Sequence, residues 1–162
     1  MGVTPQDKID RWMKAAGQSG KGDAVQKRVV VAGEFLEKTA RMSEKAACSC
    51  LSGIDFSKAV TVVRLPDKLY VQFVNQHVGA WFTDTGLTPD QVGLARGDRS
   101  RERFKPTGSV HALKSTARAI RDSWTIKPDS SLPPAEKRQL ATLTRGGGTQ
   151  YLVGDKLRMK MI

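Results

Sequence analysis

Two stretches of this 162-residue chain carry residue types suited to a small polar ligand. The first, 145–151, reads Arg-Gly-Gly-Gly-Thr-Gln-Tyr. Consecutive glycines are conformationally expensive, because each loses more freedom on folding than any other residue. A chain keeps them where backbone must approach a ligand closely or take positive φ. The segment 149–153 then reads as a strand, so Gly147 and Gly148 would lead Gln150 to the mouth of a cleft. Alternation would turn Tyr151 to the other face. No Gly-Lys-Ser/Thr follows, which excludes a P-loop, while a plain hairpin loop accounts for the same pattern. The second stretch is 69–83. There Gln72 is the lone amide of an apolar strand, and Trp81, Phe82 and Thr83 set aromatic faces beside a hydroxyl. Stacking surfaces with a few polar groups suit the planar rings of a nucleotide. Taken singly, Trp81 and Phe82 also fit an ordinary core.

Other chemistries are thinly represented. No Ser/His/Asp arrangement or nucleophile elbow is present, and His77 and His111 have no obvious orienting carboxylate near them in sequence. Acid–base work by one or both histidines would suit a ribonuclease, which stays as an alternative. Cys48 and Cys50, one residue apart, make a poor disulfide pair, and without ligand-like spacing of the histidines no metal site is expected. Charge is the strongest compositional signal, at +11 net. Arg96, Arg99, Arg101, Arg103 and Lys105, followed by Lys114, Arg118 and Arg121, face only Asp98 and Glu102 in their stretch. Such a cluster attracts polyanions, whether nucleic acid such as RNA or an acidic protein. A solvated loop that keeps the protein soluble is the plainer alternative.

The elements that must position these residues follow from pattern. Thr4, Pro5 and Asp7 open a helix in which Ile9, Trp12, Met13 and Ala16 form one apolar stripe. A Gly/Ser-rich break at 17–22 precedes a second helix expected from Asp23 to about Ala47. Short strands are expected at 60–63, 69–74, 80–83, 109–113 and 149–153, with short helices after Thr88-Pro89 and after Pro133-Pro134. Helices first and strands after give an α+β fold. The division expected is an N-terminal helical segment, 1–52, that links or packs, and a catalytic domain, 53–162. No run reaches the roughly 20 apolar residues of a membrane span, and 1–14 lacks the apolar stretch of a signal peptide.

Seven pieces occur in order over the last two-thirds of the chain: 53–58, 69–73, 79–83, 87–93, 112–117, 123–125 and 146–151. Together they resemble the C-terminal domains of bacterial polymorphic toxins carried by Rhs-type and contact-dependent delivery proteins, most nearly polymorphic toxin type 46. The glycine-rich piece is also similar to that of the tuberculosis necrotizing toxin, an NAD⁺ glycohydrolase. The resemblance implies a split, mainly antiparallel β-core of ADP-ribosyltransferase type with NAD⁺ in its cleft. It implies catalytic roles for Gln150, which would grip the nicotinamide ribose, and Gln72, which would hold NAD⁺ from the first core strand. Trp81, Phe82 and Thr83 would sit near the nicotinamide, with Gly147, Gly148 and Tyr151 beside them. Arg64 or Arg145 would take the pyrophosphate, and Ser115 and Thr116 would line the cleft.

At the final motif the related transferases carry glutamate where this chain has Gln150. An amide hydrogen-bonds but brings no charge, which leans toward hydrolysis. The basic stretch leans the other way, toward transfer of ADP-ribose to a macromolecule, RNA foremost, through Arg96, Arg99, Arg101, Arg103 and Lys105. Transfer is the favoured expectation, with glycohydrolase and then ribonuclease as alternatives. The resemblance further implies an acidic immunity protein as partner and a monomer, with no membrane association. It also implies delivery into the cytoplasm of a target cell.

Overall fold

The computed structural model describes residues 4–74, 77–94, 99–122 and 142–162. Three helices lead: α1 (Gln6–Ala15), α2 (Asp23–Glu34) and α3 (Glu44–Leu51). The expected stripe of α1 is buried, Ile9, Trp12, Met13 and Ala16 facing inward. Its expected cap is not made. Pro5 occupies the N-cap, and the Thr4 hydroxyl donates instead to Glu34 Oε1 at 2.9 Å. The second helix is also shorter than expected. It widens into a π-turn at Phe35–Thr39 and breaks where Arg41 takes φ 55°. Ser43 then starts α3 afresh, its Oγ accepting from the Ala46 amide at 3.1 Å.

Trp12 ties the helical layer together. Its indole N–H donates to Glu37 at 2.7 Å, and its ring lies directly on Gly33, where a Cβ would fall 2.5 Å from the ring. Helix propensity alone favours alanine over glycine by about 1 kcal/mol. Overlap with an immobilised buried ring costs about 3 kcal/mol. Gly33→Ala is therefore expected to destabilise the protein by about 2 kcal/mol, a fall in Tm of about 4–8 °C in thermal unfolding.

Nine strands follow among the described residues. Seven form one sheet in the order β1-β5-β8-β3-β2-β4-β9, every neighbouring pair antiparallel. They are β1 (Thr61–Arg64), β2 (Tyr70–Val74), β3 (Trp81–Thr83), β4 (Ser100–Pro106), β5 (His111–Thr116), β8 (Thr149–Val153) and β9 (Met159–Met161). A separate pair joins β6 (Arg121–Asp122) to β7 (Thr142–Leu143). The five expected strands are present within two or three residues. Neither β4 nor β9 was expected: only Phe104 of β4 and Met159 of β9 are buried, so the apolar alternation that marks a strand is almost missing from both. The short helix expected after Thr88-Pro89 is a 3-10 turn (Pro89–Val92) capped by Thr88. The helix expected after Pro133-Pro134 lies outside the described residues.

The sheet divides at its middle. Strands β2 and β3 meet in register at one described pair, Val71 with Thr83, whereas β2 and β4 share five. This is the split antiparallel core of an α+β fold with N-terminal helices. One face of the β5–β8 half packs under the helices, in a cluster that unites Trp12, Leu36 and Leu51 with Phe56, Leu113 and Leu152. That cluster draws on both 1–52 and 53–162. The opposite face buries Tyr70, Phe82, Phe104, Tyr151 and Val153. Among the described residues no helix is long and apolar enough to cross a membrane.

Candidate functional site

A cleft of about 360 Å³ opens where the sheet divides. Antiparallel partners share a face, so the register sets which side chains can reach it. Thr83 lies opposite both Val71 and Gln150, and Gln150 lies opposite Ser115. These residues therefore stand on the helix-covered face, where the helices stop short of β3 and β2. Cys50, Ser52 and Gly53, at the end of α3, form one wall. Gly93, Leu94 and Ile120 form another, and Trp81, His77 and Arg99 also line it, with Gln72, Phe73 and Phe82 along its floor.

Gln150 is 6% exposed. Its Nε2 donates to the Gly53 carbonyl and to Ser115 Oγ, both at 3.2 Å, and among the described residues Oε1 has no donor. Thr83 donates from Oγ1 to the Thr149 carbonyl at 2.6 Å, which locks β3 beside β8. The half-buried Trp81 presents the aromatic surface expected in such a cleft.

Gln72 and Phe82 are expected in the same role; both border the cleft, while alternation turns their side chains toward the far face. Gln72 aligns with Glu102 and Phe82 with Tyr151, each one residue out of phase with the Val71–Thr83–Gln150 row. Phe82 packs edge-on against Phe104 at 5.0 Å in the second core. The Gln72 amide is spent on backbone: it donates to the Gly79 carbonyl at 2.9 Å and the Trp81 carbonyl at 2.6 Å, and accepts from the Gly79 amide at 2.8 Å. Its effect on the cleft is to hold the turn that delivers Trp81. Tyr151 also lies on the far face, edge-on to Tyr70, and its hydroxyl donates to Asp84 at 3.1 Å. Burial, with Asp84 beside it, pushes that phenol well above its ordinary range.

The triple glycine binds the chain to itself. The amides of Gly146, Gly147 and Gly148 donate to the carbonyls of Asp90, Ala117 and Gln91 at 3.1, 2.8 and 2.8 Å. Arg145 adds an ion pair to Asp90, and its side chain and backbone N–H together hold that carboxyl below the usual range. The close backbone approach read from the glycines is present, but to residues 90–91 and 117. The amides of Gly147 and Gly148 are thus taken up within the chain, although Gly147 itself is exposed, and Arg145 is paired at the surface. Arg64 sits at the end of β1 opposite His111, in a separate hollow with Pro66, Asp67 and Ser109. It does not reach the cleft.

Arg96 lies outside the described residues. Arg99 lines the cleft, with Nη1 donating to the Phe73 carbonyl at 3.2 Å. Arg101 and Arg103 lie opposite Phe73 and Val71, and Lys105 lies opposite Lys160 of β9. Arg101, Arg103, Lys105 and Lys160 are exposed and share the cleft-side face, so the basic strip runs away from the cleft across a half-sheet that no described helix covers. Arg101 donates to the Thr85 carbonyl at 2.8 Å, and Lys105 pairs with Asp67 at 3.6 Å. Ser115 is buried beside Gln150, and Thr116 follows it, opposite Thr149.

The wall supplied by α3 was missed, since its residues carry no motif beyond the glycine at 53. Cys50 belongs to that wall. Its sulfur lies 3.8 Å from that of Met42, and burial pushes its thiol up, which leaves it a poor nucleophile. Among the described residues no cluster of three or more His, Cys, Asp or Glu could hold a metal ion.

The fold is similar to the solved structure of Tse6 in complex with Tsi6, with a TM-score of 0.66 at 20% identity, over 87% of this chain and 98% of that one. A match of that extent reaches into the N-terminal helices, because residues 53–162 make up only about two-thirds of the chain. At this identity the likeness is one of fold. No family model and no curated protein matches the chain.

Proposed function

We propose that the cleft binds NAD⁺ and that the protein is a toxin domain that breaks the nicotinamide–ribose bond with water as acceptor. One observation carries this reading. Gln150, Thr83, Trp81 and Arg99 share a single cleft, and no carboxylate is among the described residues that line it. Trp81 offers a stacking surface for a planar ring, and Arg99 a cation for the pyrophosphate. Nicotinamide leaves with the bonding electron pair as a neutral molecule, so no acid is needed. The sugar passes through an oxocarbenium-like state, which the negative end of the Gln150 amide, at Oε1, stabilises. Water adds at the anomeric carbon and releases its proton to solvent. A carboxylate would also orient an acceptor alcohol or base; an amide offers no charge for that step.

A second reading, transfer of ADP-ribose to RNA, draws on the strip of Arg101, Arg103, Lys105 and Lys160 beside the cleft. The same strip suits an acidic immunity protein. The setting we propose is a monomeric effector delivered into a target cell and restrained by such a partner, as Tse6 is solved in complex with Tsi6.

Incubating the protein with adenine-labelled NAD⁺, with and without RNA, tests these readings together. Free ADP-ribose equal to the nicotinamide released is the expected result. Label carried on RNA would establish transfer instead. RNA cleaved without NAD⁺ would point to a ribonuclease, and no nicotinamide release would overturn both NAD⁺ readings.

A further inference from the structure

We propose that Ser115 is a positioning residue: with the Gly53 carbonyl it fixes the Gln150 amide so that Oε1 faces the cleft, and makes position 150 a site for an amide and not a carboxylate. The inference rests on the NAD⁺-cleavage reading for its consequence in rate, though not for its geometry.

Both amide protons of Gln150 are committed, one to each partner at 3.2 Å. The planar amide then has one orientation, with its oxygen on the side away from both. Neither partner is free to shift. Ser115 is 1% exposed and lies directly across from Gln150 in the β5–β8 ladder. The Gly53 carbonyl also accepts from the Arg118 amide at 3.0 Å, and the next residue, Ile54, bridges to Ala117. The segment after α3 is thereby stitched to the end of β5, and its carbonyl direction is set by backbone.

A glutamate at 150 would place a carboxylate oxygen where Nε2 now stands, against the Gly53 oxygen. Ser115 can rotate its hydroxyl to donate; a carbonyl cannot. Two acceptors would face each other with no proton between them, at a buried position where an unsatisfied polar group is costly. The departure from glutamate at this position is therefore built into the wall that α3 supplies.

The test compares Ser115→Ala, Ser115→Thr, Gln150→Ala and Gln150→Glu at one pH, in NAD⁺ turnover and in the side-chain amide signals of ¹⁵N-labelled protein. Ser115→Ala is expected to lower kcat about tenfold, the cost of one lost hydrogen bond at the site. KM should stay within about twofold, because ground-state binding is untouched. Ser115→Thr, which keeps the hydroxyl, should restore kcat, and Gln150→Glu should turn over no faster than Gln150→Ala. In the spectra the Gln150 amide protons should be protected from exchange in the wild type and lose protection in Ser115→Ala. Retained protection in Ser115→Ala, or an active Gln150→Glu, would overturn the proposal. If the wild type releases no nicotinamide, the NAD⁺ reading falls, while the amide signals still decide the orientation.

Discussion

Replacing Gln150 by alanine is expected to slow nicotinamide release by about 10²–10³-fold, the loss typical when one preorganised dipole is removed from a developing charge. The fold should survive. Gly53 keeps its bond from the Arg118 amide, so its carbonyl is not orphaned when the side chain goes. Ser115 loses a partner, which costs about 1 kcal/mol, and Tm should fall by about 2–4 °C. Steady-state kinetics and thermal unfolding on the same preparation separate the two effects. A variant that melts as expected and still cleaves NAD⁺ at the wild-type rate would remove Gln150 from the chemistry. Gln72→Ala is the informative contrast. Its amide grips the 79–81 backbone, so its loss should act through a displaced Trp81 and raise KM more than it lowers kcat.

Those two glutamines show how far the chain could be read without its fold. Each sits in an apolar strand, and each strand was legible: 69–74 and 149–153 are bracketed by turn residues and rich in apolar and β-branched side chains. What separates them is register, a property of residues far apart in sequence. Val71 pairs with Thr83 and Thr83 with Gln150, so the Gln72 side chain turns to the opposite face from that of Gln150. The α3 wall was hidden for a related reason. A carbonyl such as that of Gly53 carries no residue-type signal, yet it decides the orientation of the site's central side chain. Strand β4 escaped notice because its cleft-side face is Arg101, Arg103 and Lys105, cations that read as a solvated loop until the pairing with β2 is seen. The glycine run shows the opposite limit. Its need for close backbone approach was legible, but three glycines cannot tell a ligand from another part of the same chain.

Gly146→Ala is the substitution that tells them apart. Gly146 has φ +66°, and a Cβ there would fall 2.6 Å from Ala119 N, 2.6 Å from the Arg118 carbonyl carbon and 2.7 Å from Ala117 O. These are backbone atoms of a segment tied by the Gly147–Ala117 and Arg118–Gly53 hydrogen bonds, so they cannot swing aside as a side chain would. The left-handed conformation costs about 1–2 kcal/mol and the overlap about 1–3 kcal/mol more. A destabilisation of about 3 kcal/mol should lower Tm by about 6–12 °C. Gly147 has φ +84° but, among the described residues, nothing within 4 Å of an added Cβ, so Gly147→Ala should pay only the conformational cost and lower Tm by about 2–8 °C. Any gain from a stiffer unfolded chain is the same for both variants and cancels in the comparison. The consequence reaches the cleft, because residues 117–119 and 90–91, which the glycines hold, lead directly into the wall formed by Ile120 and Gly93. Gly146→Ala should therefore lose NAD⁺ cleavage even at temperatures where it remains folded. If Gly147→Ala proves the more damaging to cleavage while melting like the wild type, the exposed middle glycine is kept for a ligand after all, and the stitch between turns is secondary.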